Sequence, residues 1–460
     1  MRALEIGTLG MTRPPFEMVV AQARALEADG VDVVWYSDHM LHWFPPGMWT
    51  PDLVPQAAQM RTPHVFFDPL PLIAGVGQAT ERIRLGTGVT DAVRRHPAVL
   101  AQAFLTLDHA TGGRALLGIG VGEAENIVPF GLPYERTASR LIEAVEVIQL
   151  LWSTTEPVGF DGDHFSLRNA ILGLEPVGDG QPPIWMAAHR PRVLRAAGRL
   201  ADGWIPIILD PGEYARALGA LRDASVAAGR ARDAVVAGLY AWLVVDEDRA
   251  TAERLLDSLL LRLIALTAPA EEFERAGAEH PLASRWGLLD FVPTDLTREE
   301  ALAAAAAVPG EVLRSYYFWG TPDDVVRRLR PFREAGLEHV DLVNVTALAD
   351  PANAAAAAVR TSEVAAGLRA LAKARARGGP RAGARGSPRR GPRPRAAGPR
   401  GPSGSARCGP RTGGAARRPA DAGSARACRA WRSPPSPRRR AATRRWRAGG
   451  RRRAAARSAG

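Results

Sequence analysis

An eight-stranded β/α barrel is the fold class this sequence predicts, with a helical insertion and a basic C-terminal tail. Three observations carry the prediction. Eight short β-branched or apolar runs recur between residues 3 and 345, nearly all separated by helical patterns, the alternation of a parallel sheet covered on both faces. A barrel with insertions fits the length of that region, and a doubly wound open sheet ranks behind it. The composition then changes abruptly from about Ala374, where Arg, Ala, Gly, Pro and Ser replace the larger aliphatic residues.

The elements follow in order. Ala3 to Leu9 is an apolar run, and Phe16 to Ala28 repeats apolar residues at three and four, the spacing of a helix face. Val31 to Tyr36 is the second strand and Ile83 to Val89 the third, followed by a Pro97–His109 helix. Ala115 to Val121 precedes the long Ala138–Trp152 helix. Ile184 to Ala188, Trp204 to Leu209, Ala237 to Val245 and Val340 to Val345 complete the set of eight. Two interruptions stand apart. Val158 to Phe165 reads as a hairpin turning at Asp161-Gly162. Residues 249–315 are largely helical and too long for one crossover, so they are expected as an insertion beside the barrel.

Charge separates the two parts. The net +12 of the chain sums opposite halves: residues 1–370 carry 33 basic and 47 acidic side chains, whereas the remainder carries 26 Arg, Lys373 and a single acid, Asp421. The barrel is therefore acidic, and a nucleic-acid surface is confined to residues 374–460. That tail has too little large apolar surface to offset its ordering entropy and is expected to be disordered. Non-specific binding of nucleic acid through counterion release is its functional alternative. Both cysteines, Cys408 and Cys428, fall in the tail, which excludes a disulfide scaffold, a cysteine zinc site and a cysteine nucleophile from residues 1–370. No leader pattern opens the chain and no run of eighteen apolar residues occurs in it, so a cytoplasmic protein without a membrane span is expected.

Barrel enzymes place their chemistry at the carboxyl ends of the strands, and polar groups follow several strands here. Ser37-Asp38-His39, with His42 and Trp43, follows the second; Gly88-Val89-Thr90-Asp91, with Arg94, Arg95 and His96, follows the third; Gly118-Ile119-Gly120-Val121-Gly122-Glu123-Ala124-Glu125-Asn126 follows the fourth; Ala187-Ala188-His189-Arg190 follows the fifth. Asp38-His39 alone reads rather as a helix cap beside a solvated histidine, and Glu123 alone equally as a cap. Taken together, His39 and Glu123 at neighbouring strand ends form an acid/base pair, with Trp43 helping to keep Glu123 protonated near neutrality. The glycine run departs from a dinucleotide fingerprint at Glu123 and instead suits a flat ligand lying on the backbone. The helix starting near Pro191 offers free N–H groups to a phosphate, and Arg190 is either a helper there or a surface charge. No metal-ligand spacing and no G-x-S-x-G occurs, so no metal site and no hydrolase nucleophile is expected.

At these residues the sequence resembles the luciferase-like monooxygenase superfamily, in the branch that uses the deazaflavin coenzyme F420. Ser37-Asp38-His39 with Trp43, Gly122-Glu123-Ala124 with Asn126, and Phe160-Asp161-Gly162-Asp163 resemble segments of the branch's glucose-6-phosphate dehydrogenases. The mycobacterial phthiodiolone ketoreductases are more similar still, through Val89-Thr90-Asp91-Ala92, Gly118 to Glu123, Ala187-Ala188-His189, Glu279-His280-Pro281 and Gly320-Thr321-Pro322-Asp323. The resemblance covers nearly all of residues 1–350.

It implies a homodimeric β/α barrel with F420 in its carboxyl-end mouth, FMN being the alternative cofactor. His39 would be the catalytic histidine, Glu123 the acid/base glutamate, and Trp43 a third catalytic residue. Asp38, Gly88, Val89, Thr90, Val121, Gly122, Asn126, Ala187 and Ala188 would line the cofactor, and His189 and Arg190 would hold its phosphate-bearing tail. The segment Thr87 to Val89 would carry a non-proline cis peptide. Lys373 is the chain's only lysine, so the lysine clamp for a sugar phosphate is absent and glucose 6-phosphate is disfavoured. The expected reaction is hydride transfer to a small, apolar carbonyl substrate, with an FMN monooxygenase and a methylene-pterin reductase as alternatives. Phe66, Phe67, Trp43 and Trp49 would form an apolar wall or simply pack in the core.

Overall fold

The computed structural model describes residues 3–377 except 179, 208 and 209. The Arg-rich segment beyond them, with its expected disorder and nucleic-acid binding, lies outside the described residues.

From the N-terminus, β1 (Glu5–Leu9), α1 (Phe16–Ala28), β2 (Val33–Tyr36), α2 (Pro69–Gly77), β3 (Arg84–Thr87), β4 (Thr90–Asp91), α3 (Pro97–Thr111), β5 (Ala115–Gly120) and α4 (Thr137–Trp152) form the first half. An antiparallel hairpin, β6 (Val158–Asp161) and β7 (Ser166–Ala170), follows. The second half comprises β8 (Ile184–Met186), α5 (Pro191–Leu200), β9 (Gly203–Trp204), α6 (Pro211–Ala227) and β10 (Val236–Val245). Helices α7 (Arg249–Leu256), α8 (Leu259–Ala265), α9 (Ala270–Arg275), α10 (Arg298–Ala307) and α11 (Gly310–Tyr316) come next, then β11 (Phe318–Gly320), α12 (Pro322–Ala335), β12 (His339–Asn344), α13 (Thr346–Ala349) and α14 (Ala354–Arg377).

Eight parallel strands close into a barrel in the order β1-β2-β3-β5-β8-β9-β10-β12, with β12 returning to β1. Each corresponds to one of the eight runs read from the sequence. Most are a residue or more shorter than expected, and the third and sixth lose the most. The third ends at Thr87, where a cis Gly88–Val89 peptide precedes the short β4. The sixth stops at Trp204, because Pro206 has no N–H to continue the ladder; its carbonyl instead accepts from Tyr240 N at 2.8 Å.

Polar residues before the helices set where they begin. Asp68, His96 and Asp210 accept from the first-turn amides of α2, α3 and α6. Thr297 with Glu300, and Thr321 with Asp324, form capping boxes at α10 and α12. Inside the barrel Trp35 and Trp185 meet edge to face at 5.4 Å, packed with Val33, Leu116 and Ile205. Below them His339 and Asp341 are fully buried, the imidazole Nε2 lying 2.8 Å from Asp341 and Nδ1 3.5 Å from Glu5.

The helices between β10 and β11 occupy a different place from the one expected. Their core residues, among them Leu261, Ile264 and Phe273, pack against Phe44 and Met48 of the loop after β2, Trp242 and Val244 of β10, and Val343 and Val345 at the end of β12. The insertion therefore sits over the carboxyl ends of the strands, because that is where the apolar residues of those loops leave surface to cover.

Candidate active site

Those strand ends enclose a cavity of about 960 Å³, open mouth included. Its apolar lining includes Val89, Val121, Ile205, Ile207, Trp43 and Trp242, and its polar lining Asp38, Thr90, Asn126, His39 and Glu123. Twelve of the fourteen residues expected at the site line it: Asp38, His39, Trp43, Gly88, Val89, Thr90, Val121, Gly122, Glu123, Asn126, Ala187 and His189.

The other two point elsewhere. Ala188 is buried in the barrel's main core, its carbonyl accepting from Trp204 Nε1 at 2.7 Å. Successive residues leaving a strand face opposite sides, so Ala187 reaches the cavity and Ala188 cannot. Arg190 forms a two-point ion pair with Glu271, at 2.8 and 3.1 Å, and its guanidinium lies 4.3 Å from the Trp286 ring centre. It ties the insertion down and does not face the cavity. His189 does line the cavity, but its Nε2 accepts from Ile207 N at 2.8 Å, which leaves the imidazole neutral and so no cation for a phosphate.

The glycines of the run do different things. A Cβ on Gly118 would sit 1.9 Å from the Thr87 carbonyl oxygen, so that space is filled by the end of β3, whereas Gly120 and Gly122 line the cavity, with Val89 Cγ2 packed 2.9 Å from where a Cβ on Gly120 would be. Gly122 adopts φ +86°, a left-handed conformation that favours glycine.

Three ionisable side chains converge on the cavity wall. His39 Nδ1 lies 3.0 Å from Glu125 Oε1 and 3.3 Å from the Leu41 carbonyl, while Nε2 lies 3.4 Å from Glu123 Oε2. Glu125 was not among the expected site residues; it is fully buried, whereas Glu123 remains 20% exposed toward the cavity. Asn126 bridges the two acids through Nδ2, at 3.3 and 3.2 Å, and its Oδ1 accepts from Met40 N and Leu41 N at 2.7 and 3.2 Å. The amide thus joins the turn after β5 to the loop after β2. The carboxylates address opposite ring nitrogens, an arrangement that clamps one imidazolium, and one ligand atom from each of the three side chains also lies within 4.8 Å of the others, close enough to hold a cation.

Burial dominates the electrostatics. It pushes the carboxyls of Glu123 and Glu125 up, Glu125 to about 7, against the opposing pull of His39. Burial alone would lower His39, but the charge of Glu123 and the hydrogen bond to Glu125 outweigh it and raise the imidazole to about 9. Arg94 stands behind the cluster, with Nε 2.6 Å from Asp91 Oδ2 and Nη2 2.7 Å from the Asp38 carbonyl. Asp38 also accepts from Thr90 Oγ1 at 2.6 Å and from Arg95, so it is a structural anchor of the wall.

The aromatic wall is made of partly different residues from those expected. Trp43 lies edge-on to His39 at 5.6 Å and to Trp242 at 5.4 Å, and Phe66 packs on His39 at 5.6 Å. Phe67 turns to Phe16, and Trp49 donates to the Met60 carbonyl at 2.6 Å. Neither lines the cavity. Tyr240 and Trp242 of β10, with Leu288 and Leu289 of the insertion, complete the lining; nothing local in the sequence marks these leucines.

A closed parallel barrel with its ionisable cluster and apolar cavity at the strand carboxyl ends defines an enzyme of the β/α-barrel class. The chain belongs to the luciferase-like monooxygenase family, whose pattern matches residues 4–339. It is 37% identical over 350 residues to the phthiodiolone/phenolphthiodiolone dimycocerosates ketoreductase of Mycobacterium kansasii, covering 74% of this chain and 95% of that one. It is 31% identical over 261 residues to the 5,10-methylenetetrahydromethanopterin reductase of Archaeoglobus fulgidus, covering 57% and 76% respectively. In fold it is similar to an F420-dependent secondary alcohol dehydrogenase solved with an F420–acetone adduct, with a TM-score of 0.61 and 22% identity over 80% of this chain and 99% of the other. These relatives are oxidoreductases. No helix among the described residues is long and apolar enough to cross a membrane.

Proposed function

We propose that the chain is an F420-dependent reductase that adds a hydride to a ketone-type carbonyl of a small, apolar substrate, acting as a cytoplasmic homodimer. The observation that carries the reading is the His39–Glu123 pair on the wall of a largely apolar cavity, in a chain 37% identical to a ketoreductase across nearly all of that relative. Apolar side chains face the cavity beside the polar atoms of Thr90 and Asn126, a lining suited to a flat, largely apolar ring. Those residues, with Gly88, Val89, Val121, Gly122 and Ala187, would hold the deazaflavin, whose reduced form supplies the hydride.

The chain's own groups account for the rest. Glu123, whose carboxyl burial pushes upward, or His39 through Nε2, gives a proton to the oxygen that gains negative charge as the carbonyl carbon accepts the hydride. Trp43, Trp242, Leu288 and Leu289 exclude water and present apolar surface to the substrate. With Arg190 committed to Glu271 and His189 neutral, a phosphate-bearing tail would meet the N-terminus of α5, where no side chain caps the first turn.

Side-by-side titration of the full chain with F420 and FMN, followed by quenching of tryptophan fluorescence, tests the cofactor. Tight binding of F420 and weak binding of FMN supports the reductase; the reverse moves the protein to the monooxygenases and ends this reading. Oxidation of reduced F420 on addition of apolar ketones, but not of methylene-tetrahydromethanopterin, then tests the acceptor.

A further inference from the structure

We propose that Glu125 is a positioning residue that fixes a proton on His39 Nδ1, so that the exchangeable proton of the site lies between His39 Nε2 and Glu123. This deepens the reductase reading and rests on it only for the use made of that proton.

The geometry is asymmetric in a way that two equivalent acids would not require. Nδ1 faces two acceptors, Glu125 Oε1 at 3.0 Å and the Leu41 carbonyl at 3.3 Å. A carbonyl oxygen can only accept, so Nδ1 must carry hydrogen. Nε2 faces Glu123 alone, at 3.4 Å, on the side that opens to the cavity. Glu125 is sealed from solvent, and its second oxygen, Oε2, has no hydrogen-bond partner. A carboxylate buried at that cost holds its place through the imidazole it faces. Negative charge behind Nδ1 raises the basicity of Nε2, as an orienting acid does for any imidazole that shuttles protons.

The surrounding charges favour this division. Asp91 of β4 and Arg94 just after it face the Glu123 side, Arg94 also acting on His39, and His42, on the same loop as His39, is driven to about 3 by burial and then by the charge of His39. His42 is therefore neutral and sets no cation beside His39 to compete for Glu125. In the reaction the proton leaves Glu123 or Nε2 for the substrate oxygen as the carbonyl is reduced and the deazaflavin oxidised, and solvent at the mouth restores it. Glu125 keeps its place throughout.

Nuclear magnetic resonance of the full chain with labelled histidine tests this, with the His39 signal assigned from His39→Gln. In the wild-type chain Nδ1 is expected to stay protonated from about pH 6 to 10 while Nε2 alone titrates. An Nδ1 that loses its proton first overturns the proposal without any variant at Glu125. Glu125→Gln keeps an acceptor but no charge. It is expected to lower the His39 midpoint by at least about one unit and to shift the alkaline limb of the kcat profile with it. Glu125→Asp is expected to restore most of both. A midpoint in Glu125→Gln equal to wild type, in a chain with unchanged melting temperature, overturns it as well. Failure of the wild-type chain to turn over F420 and ketones would sink the reductase reading, while the His39 titration would still decide the role of Glu125.

Discussion

Removing the Asn126 side chain should separate the two jobs that amide performs. In Asn126→Ala, Met40 N and Leu41 N lose their acceptor, and Glu123 and Glu125 lose the donor between them. A neutral hydrogen bond contributes about 0.5–1.5 kcal/mol net and one to a charged group about 1.5–3. Met40 is exposed, so water replaces part of its loss, and burial pushes both acids upward, which weakens the bonds the amide donates to them. The expected loss of stability is therefore about 3 kcal/mol, nearly independent of pH. Asn126→Asp keeps the acceptor for the backbone but sets a third carboxyl beside two acids. That carboxyl would titrate above the usual ~3.9 in the folded chain, so the folded state binds the extra proton and stability falls as pH rises from ~4 through the raised value. Urea unfolding of both variants at pH 5 and pH 8 reads the difference. If Asn126→Asp is as stable relative to wild type at pH 8 as at pH 5, the two glutamates are not held together by that amide and the electrostatic account of the cluster is wrong.

Three further outcomes are expected. Glu123→Gln should lower kcat/KM for ketone reduction by about 10²–10⁴ while F420 affinity, measured by fluorescence, changes by only a few-fold. Gly118→Ala forces a methyl group against the Thr87 carbonyl, 1.9 Å from its ideal position, and should reduce the melting temperature sharply or leave the chain insoluble, whereas Gly113→Ala, on the surface away from the mouth, should not destroy the fold. His339, raised to about 9 after Asp341 and Glu5 outweigh its burial, contributes stability that is full below ~6.5 and is lost as pH rises through about 9. Urea midpoints of wild type and His339→Phe should therefore converge between pH 6 and pH 10, and parallel curves would refute the charged state assigned to the barrel floor.

The barrel was legible because its strands are continuous apolar runs and its helices have sharp starts. The positions of His39, Glu123 and Asn126 followed from one rule about strand ends. Glu125 was missed although it stands two residues from Glu123, because its partner is distant in the chain and an acid in a short turn reads as solvated. Ala188 and Arg190 failed for reasons of direction: one residue past Ala187 the side chain enters the core, and the partner of Arg190, Glu271, comes from the insertion. Within the glycine run, a sequence does not reveal that the Thr87 backbone fills the space beside Gly118 while Gly120 and Gly122 face the cavity. Trp242 sat in view in the seventh run, but only the closed barrel makes its side chain face Trp43.

Strand β10 pairs with β12 along much of its length, yet on its other side it meets β9 only at Val236 and Ala237 and β11 only from Leu243 to Val245. The ring of strands is therefore closed on that side by one short clasp, that to β9, and β11 adds a second short pairing outside the ring. Between them lie Tyr240 and Trp242, whose rings face the cavity, and β9 itself runs for only two residues before Ile205 and Ile207 join the same wall. The seam of the barrel and the wall of the cavity are thus one structure. Breathing of the backbone should begin there, with amides of Gly203 to Ile207 exchanging ahead of those of β1 and β2, and whatever fills the cavity would stitch that seam from within.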